Sequence, residues 1–257
     1  MADLEQIGLA KNGKHHLDAD DLKALLSGRR TDMLRFENLK MGGLHIDLLD
    51  AKLSLKPNAD GLLNLSLHPV YPPAKKPEYL AEYLTDKEAE ELERGDAVNI
   101  EKDITDQQGR KKNVLVEYDP ETREFIVVDT DKILAPDMVN GEYLSLDQQA
   151  RYLKGKEVSL ADGTIFRYSG TDNRGVLSNR PALVAANVID GDLFYFHHDG
   201  LRGLDGKTQQ DASSVKLSNG YYQALKDLRA DQAAEANTLR FISNEDDERS
   251  YSGGHQY

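Results

Sequence analysis

Cysteine and tryptophan are both missing from the 257 residues, and there are only 8 prolines. Without cysteine there can be no disulfide, no thiol nucleophile and no thiolate zinc site. No apolar run approaches the roughly 18 residues that a membrane-spanning helix needs. The opening Met-Ala-Asp-Leu-Glu lacks the basic stretch and apolar core of a secretory signal. The expectation is a cytoplasmic protein that does not engage a membrane. Positive charge is scarce as well: 32 Lys and Arg stand against 45 Asp and Glu, a net of −13. That balance disfavours tight non-specific binding to nucleic acid or to an anionic membrane. Leu, Ile, Val and Phe still make up 62 of 257 residues, about 24%, above the roughly 20% below which charged chains stay unfolded. The chain is long enough to fold as one large domain or as two to three small ones.

Catalytic motifs are equally scarce. Gly200-Leu-Arg-Gly-Leu-Asp-Gly206-Lys207-Thr208 superficially resembles a phosphate-binding loop, but five residues separate Gly200 from Gly206, where that loop has four. Neither Ser169-Gly170 nor Ser252-Gly253 provides the setting of a serine nucleophile. His15-His16 and His197-His198 are adjacent pairs, and neighbours on a strand point to opposite faces, so both rarely reach one ion. The acidic clusters Asp18/Asp20/Asp21 and Asp129/Asp131 lack the glycine and terminal glutamate of a calcium loop. A carboxylate pair for glycoside chemistry has no motif to single it out. The expectation is no enzyme, no metal and no cofactor.

What the sequence does contain is a repeat. Tyr83-Leu84-Thr85 and Tyr143-Leu144-Ser145 open two segments that align without a gap at an offset of 60, and His16–Gly28 is a looser third copy. Each copy reads as one short helix. Asp18, Thr85 and Ser145 are the N-caps, Thr85-x-x-Glu88 and Ser145-x-x-Gln148 form capping boxes, and Gly28, Gly95 and Gly155 close the three helices. Helices of about nine residues are unstable alone and must pack on something. Strand patterns follow each glycine: 34–39, 45–55 and 62–70; then 97–104, 114–118 and 124–129; then 157–160, 164–168, 182–188 and 193–196. The fold class expected is α+β, built from about three modules of a short capped helix plus an antiparallel β-meander.

The domains expected are an N-terminal module at 1–70, a Pro-rich linker at 71–82, a second module at 83–134 and a third at 135–199. A polar loop and amphipathic helix follow at 200–243, then a disordered tail at 244–257. Tyr222, Leu225 and Leu228 form the apolar stripe of that helix. From Glu78 to Asp106 there are 11 acids and 3 bases, followed at once by the basic turn Arg110-Lys111-Lys112. The acidic stretch reads either as a solvated helix face or as a docking patch for a basic partner. Tyr83, Tyr143, Tyr152, Tyr221 and Tyr222 gather at the repeat helices and the C-terminal helix, as core residues or as a tyrosine-rich interface.

A resemblance rests on three segments. The L-T-x-x-E-A-x-x-L-x-x-G start at residue 84, with the Thr105-Asp106-x-x-Gly109-Arg110-Lys111 turn, is similar to modules of uncharacterised proteins of Bacteroidetes mobile and conjugative elements, which are built from domains of unknown function. Residues 51–69 resemble their N-terminal module, and residues 133–145 their join between modules. Together the resemblance covers roughly residues 17–190. It implies a bacterial, cytoplasmic, mobile-element context and carries no catalytic residue. The third copy departs from the pattern at 170–180, where its turn is longer and more polar. The function expected is that of a non-enzymatic accessory or adaptor protein that binds another macromolecule, in the first place a protein. The contact residues would be Tyr222, Leu225 and Leu228, with Arg110, Lys111 and Lys112. The alternatives are a nucleic-acid-associated transfer factor, in which Arg29-Arg30 and Arg110-Lys111-Lys112 touch phosphate, and an acidic inhibitor that mimics DNA.

Overall fold

A computed structural model describes residues 7–11, 14–41, 44–58, 60–106, 109–209 and 215–234. The expected tail at 244–257 lies outside them. The architecture is α+β, with short helices and five small antiparallel sheets among the described residues.

The first module follows a small ribbon, β1 (Ala10–Lys11) and β2 (Lys14–His15). It consists of α1 (Ala19–Leu26) and the meander β3 (Leu34–Met41), β4 (Leu44–Pro57) and β5 (Leu63–Pro69). Asp18 caps α1 by accepting from the Asp21 backbone N–H at 2.7 Å. The second module holds α2 (Asp86–Arg94) and the meander β6 (Ile100–Thr105), β7 (Lys111–Asp119) and β8 (Glu124–Asp129). Both capping boxes form as the spacing predicts, at Thr85/Glu88 on α2 and at Ser145/Gln148 on α3 (Leu146–Leu153). Each joins two backbone N–H groups that the helix itself leaves unpaired.

Residues 71–82 do not form a free spacer. A 3₁₀ turn spans Glu78–Glu82 and sinks Leu80 into the core of the second module beside Leu84 and Leu92. The Lys75 N–H donates to the Arg123 carbonyl, and the Phe125 N–H donates back to the Lys75 carbonyl. Burial of Leu80 outweighs what the prolines would otherwise make of this stretch.

The third copy divides between two sheets. α3 packs on the meander β11 (Val158–Ser159), β12 (Ile165–Tyr168) and β13 (Val176–Ser178). The later hairpin, β14 (Leu183–Ile189) and β15 (Asp192–His198), pairs instead with β9 (Met138–Val139), and β9 pairs with β10 (Glu142–Tyr143). The sheet order is β10-β9-β14-β15, which leaves β15 as an edge strand. A final helix, α4 (residues 219–234), covers one face of that hairpin. Strand alternation explains the arrangement. Ala182 and Val184 pack with Tyr221, Ala224 and Leu228 of α4, whereas Leu183 and Ala185 face the main core of the third module with Val139, Tyr152 and Phe166. No helix of the described residues is long and apolar enough to cross a membrane.

Candidate functional site

The same alternation joins the modules. On β7, Val114 and Val116 point into the second module's own core, and Leu115, Glu117 and Asp119 point the other way. Leu115 enters the core of the third module. Glu117 is buried, and its carboxylate accepts from Ser169 Oγ at 3.0 Å and from the Gly170 and Thr171 backbone N–H groups. Burial pushes its carboxyl above the usual range, against the pull of those donors. Asp119 faces Lys52 of β4, with Nζ 2.9 Å from its carboxylate and 2.7 Å from that of Glu121. Lys52 is only 1% exposed, on the sheet face opposite the apolar one that holds Ala51 and Leu53.

A second polar chain lies beside the first. Arg30 meets Glu124 at 2.6 Å, Glu124 meets His68 Nδ1 at 3.0 Å, and His68 Nε2 meets Ser54 Oγ at 2.8 Å. Burial alone would raise the Glu124 carboxyl, but the His68 hydrogen bond and the Arg30 charge together outweigh it and hold the group at about 2. Burial lowers His68, which keeps a neutral ring that can donate at Nδ1 and accept at Nε2.

The polar turn that breaks the repeat is the hub of these contacts. Besides holding Glu117, residues 169–175 reach the first module. The Asn173 side chain donates to Asp21, Arg174 pairs with Asp20 at 2.9 Å, and the Arg29 Nε donates to the Asn173 carbonyl. A buried polar set of this size is compatible with folding only because nearly all of its members are paired. Lys52, Glu117, Asp119 and His68 were not legible as site residues in the sequence. The one available signal was a charge in an otherwise apolar strand, as in Val114-Leu-Val-Glu-Tyr-Asp119.

Two clefts lie at the junctions. One, of about 680 Å³, opens between all three modules and is lined by Lys52, Glu117, Asp119, Arg167, Asp172 and Arg202 among others. Buried Asp119 Oδ2, Arg167 Nε and Asp172 Oδ2 have no hydrogen-bond partner among the described residues, although Asp119 Oδ2 lies 2.9 Å from Lys52 Nζ and Asp172 Oδ2 lies 3.7 Å from Arg202. The phosphate-loop lookalike lies at its edge with its amides already engaged: the Gly203 N–H donates to the Lys207 carbonyl and the Lys207 N–H to the Asp205 carboxylate. The other cleft, of about 410 Å³, lies between α1 and the third module. Its floor is apolar and aromatic, with Val139, Tyr152, Phe166 and Tyr168, and its rim carries Lys23, Arg29, Lys132 and Arg174. His198, on the wall, is pulled down to about 4, first by burial and then by the charges of Lys23, Arg29, His197 and Arg174.

The residues expected to contact a partner are scattered. Tyr222 is 55% exposed on the outer face of α4, but Leu228 is buried and Leu225 is half-buried against the β14–β15 hairpin. The buried stripe runs through Tyr221, Ala224 and Leu228 with Leu225 beside it, so of the three expected residues Leu225 and Leu228 are taken up by intramolecular packing and Tyr222 faces outward. Arg110 pairs with Asp106 at 2.9 Å and Lys112 pairs with Asp129 at 2.9 Å, whereas Lys111 is exposed. Arg30 is committed to Glu124, and Arg29 opens on the smaller cleft. His197 donates to or accepts from the Tyr221 hydroxyl at 3.0 Å. Of the expected tyrosines, Tyr152 and Tyr221 are core residues, and Tyr143 is exposed. No group of three or more metal-ligating side chains gathers among the described residues.

Comparison with known proteins adds one match. A family model described as "Protein of unknown function (DUF4099)" matches residues 1–79, the first module and most of the segment that leads into the second. No curated protein and no solved structure matches the chain.

Proposed function

We propose that this chain is a non-enzymatic accessory or adaptor protein that acts by binding another protein, within the bacterial mobile-element context that its resemblance implies. The observation that carries this reading is the β14–β15 hairpin. α4 already covers one of its faces, yet Val188, Ile189, Phe194 and Phe196 remain 41–47% exposed on a strand pair that ends the sheet. Exposed aromatics beside an open strand edge are the features an extended protein segment engages, by main-chain pairing and side-chain anchoring. The charged groups of the larger cleft support the non-enzymatic part. Glu117 and Asp119 are fixed by internal donors and have no free carboxylate to offer a substrate.

The nucleic-acid reading has weaker support, because Arg30, Arg110 and Lys112 are neutralised within the chain. The DNA-mimic reading rests on net charge alone. The test is native capture from the host with wild-type bait and with Phe194→Ser/Phe196→Ser bait, read by mass spectrometry. A stoichiometric protein recovered by the first and lost from the second is the expected result. Equal recovery by both removes the hairpin as the docking surface. Recovery of nuclease-sensitive material that washes off with salt favours nucleic acid instead.

A further inference from the structure

We propose that the cleft between α1 and the third module binds a small phosphorylated ligand that carries a flat ring, of the nucleoside-phosphate class. The inference does not require protein docking at the hairpin, although Phe196 borders both surfaces, and it rests on the cations and rings inside the cleft. Four cations, Lys23, Arg29, Lys132 and Arg174, border a cavity of about 410 Å³, and among the described residues Asp20 is its only bordering carboxylate. In a chain of net charge −13, that is a local reversal of sign.

Three of the four cations form no ion pair among the described residues. Arg29 is held by a single bond from Nε to the Asn173 carbonyl at 3.1 Å, which orients the guanidinium without neutralising it. Arg174 does pair with Asp20, but its Nε is buried without a partner. A guanidinium with free N–H groups suits a phosphoryl group, which brings close to two charges and three acceptor oxygens. A lone carboxylate would leave most of the rim uncompensated.

The floor supplies the other half of the site. Tyr152 lies against Phe166 and Tyr168, with ring centroids 5.8 and 6.0 Å apart, and Phe196 closes the lip. The Tyr152 and Tyr168 hydroxyls have no hydrogen-bond partner among the described residues. Both side chains line the cavity, and a phenol hydroxyl that faces a ligand there can donate to or accept from ring heteroatoms. The volume lies within the roughly 300–1,000 Å³ of small-ligand pockets. The acidic surroundings select a single unit over a nucleic-acid strand.

The test is isothermal titration of the full chain with AMP, GMP, CMP and UMP. Inorganic phosphate, the four parent nucleosides and a single-stranded oligonucleotide are titrated alongside. At least one nucleoside monophosphate should bind about tenfold or more tighter than both inorganic phosphate and its nucleoside. Lys23→Gln/Arg29→Gln should weaken that binding about tenfold or more while the variant stays folded by circular dichroism. Should the double variant fail to fold, exposed Lys23→Gln alone must still weaken binding. The proposal is overturned by no saturable binding at about 1 mM, by inorganic phosphate binding equally well, by the oligonucleotide binding more tightly, or by folded variants that bind like wild type.

Discussion

Replacing Lys52 by methionine should cost about 3–5 kcal/mol of stability, because it strands a buried carboxylate. Lys52 Nζ lies 2.9 Å from Asp119 and 2.7 Å from Glu121, and the Lys52 and Asp119 side chains are each 1% exposed. At 2.9 Å and an effective dielectric constant of about 20, the Lys52–Asp119 attraction is about 6 kcal/mol. Desolvation of the two ions offsets most of this, so the pair contributes little relative to an apolar pair of the same shape. Removal of one partner is different. Asp119 stays in place, and the nearest remaining cation is Arg30 at 4.0 Å, which already serves Glu124. Glu121 matters less, since its side chain is 39% exposed and screened by water. The measurement is urea unfolding followed by far-UV circular dichroism and tyrosine fluorescence, the sequence having no tryptophan. Lys52→Met/Asp119→Asn should recover at least half of the loss, because the amide keeps an acceptor for the Glu121 N–H and carries no charge. The pair links β4 to β7, so Lys52→Met should also weaken the coupling between the first two modules, seen as a broader or two-step transition than that of the wild type. A loss below about 1 kcal/mol for Lys52→Met would refute the reasoning.

Gly95 and Gly155 hold equivalent places in the repeat, with φ of 76° and 60°. Gly95→Ala meets open space and should cost about 1 kcal/mol. Gly155→Ala also drives its Cβ into the Asn99 side chain and to 3.2 Å from Leu115, so its drop in Tm should be clearly the larger. The stability contributed by neutral His198 should be lost as the pH falls from about 6.5 to 4. In that window the unfolded chain takes up a proton at His198 while the folded chain, held at about 4, does not. The loss is up to about 3 kcal/mol, and nearer half of that after solvent screening of a partly exposed ring. His68, also lowered by burial, adds to it with the same sign. Melting curves of His198→Gln should be flatter across this window, and an unchanged slope would exclude His198 as the source. Leu228→Ala should cost about 2–4 kcal/mol and raise hydrogen exchange along α4 selectively, since Leu228 anchors that helix on the hairpin. Retained protection there would show that α4 is held by something else.

Local structure was written in local signals. The caps Asp18, Thr85 and Ser145 and the closing glycines depend on a few neighbouring residues, so they could be read from spacing. Period-two alternation likewise placed most strands, but not β13 (Val176–Ser178), which is too short to show a period and falls in the stretch read as a polar turn. The candidate sites were harder to read, because each is assembled from residues far apart in the chain. Arg29 and Arg174 border one cleft across 145 positions, and Lys52 meets Asp119 across 67. The helix stripe was right at Leu225 and Leu228 but took Tyr222 for Tyr221, because adjacent tyrosines are equivalent in composition and only packing on Ala182 and Val184 selects Tyr221.

By itself, then, the sequence determined the α+β class, the repeated capped helix and its meanders, and the acidic balance. Each follows from short-range backbone hydrogen bonding or from counting charges. Only the tertiary structure decided that the 71–82 segment joins a core, that β14 and β15 form a separate sheet with β9, and that the turn at 169–175 joins the modules. It also decided which cations remain unpaired. Those outcomes depend on which apolar faces and which buried charges meet across the fold, and the stretches on either side of each contact do not name the partner.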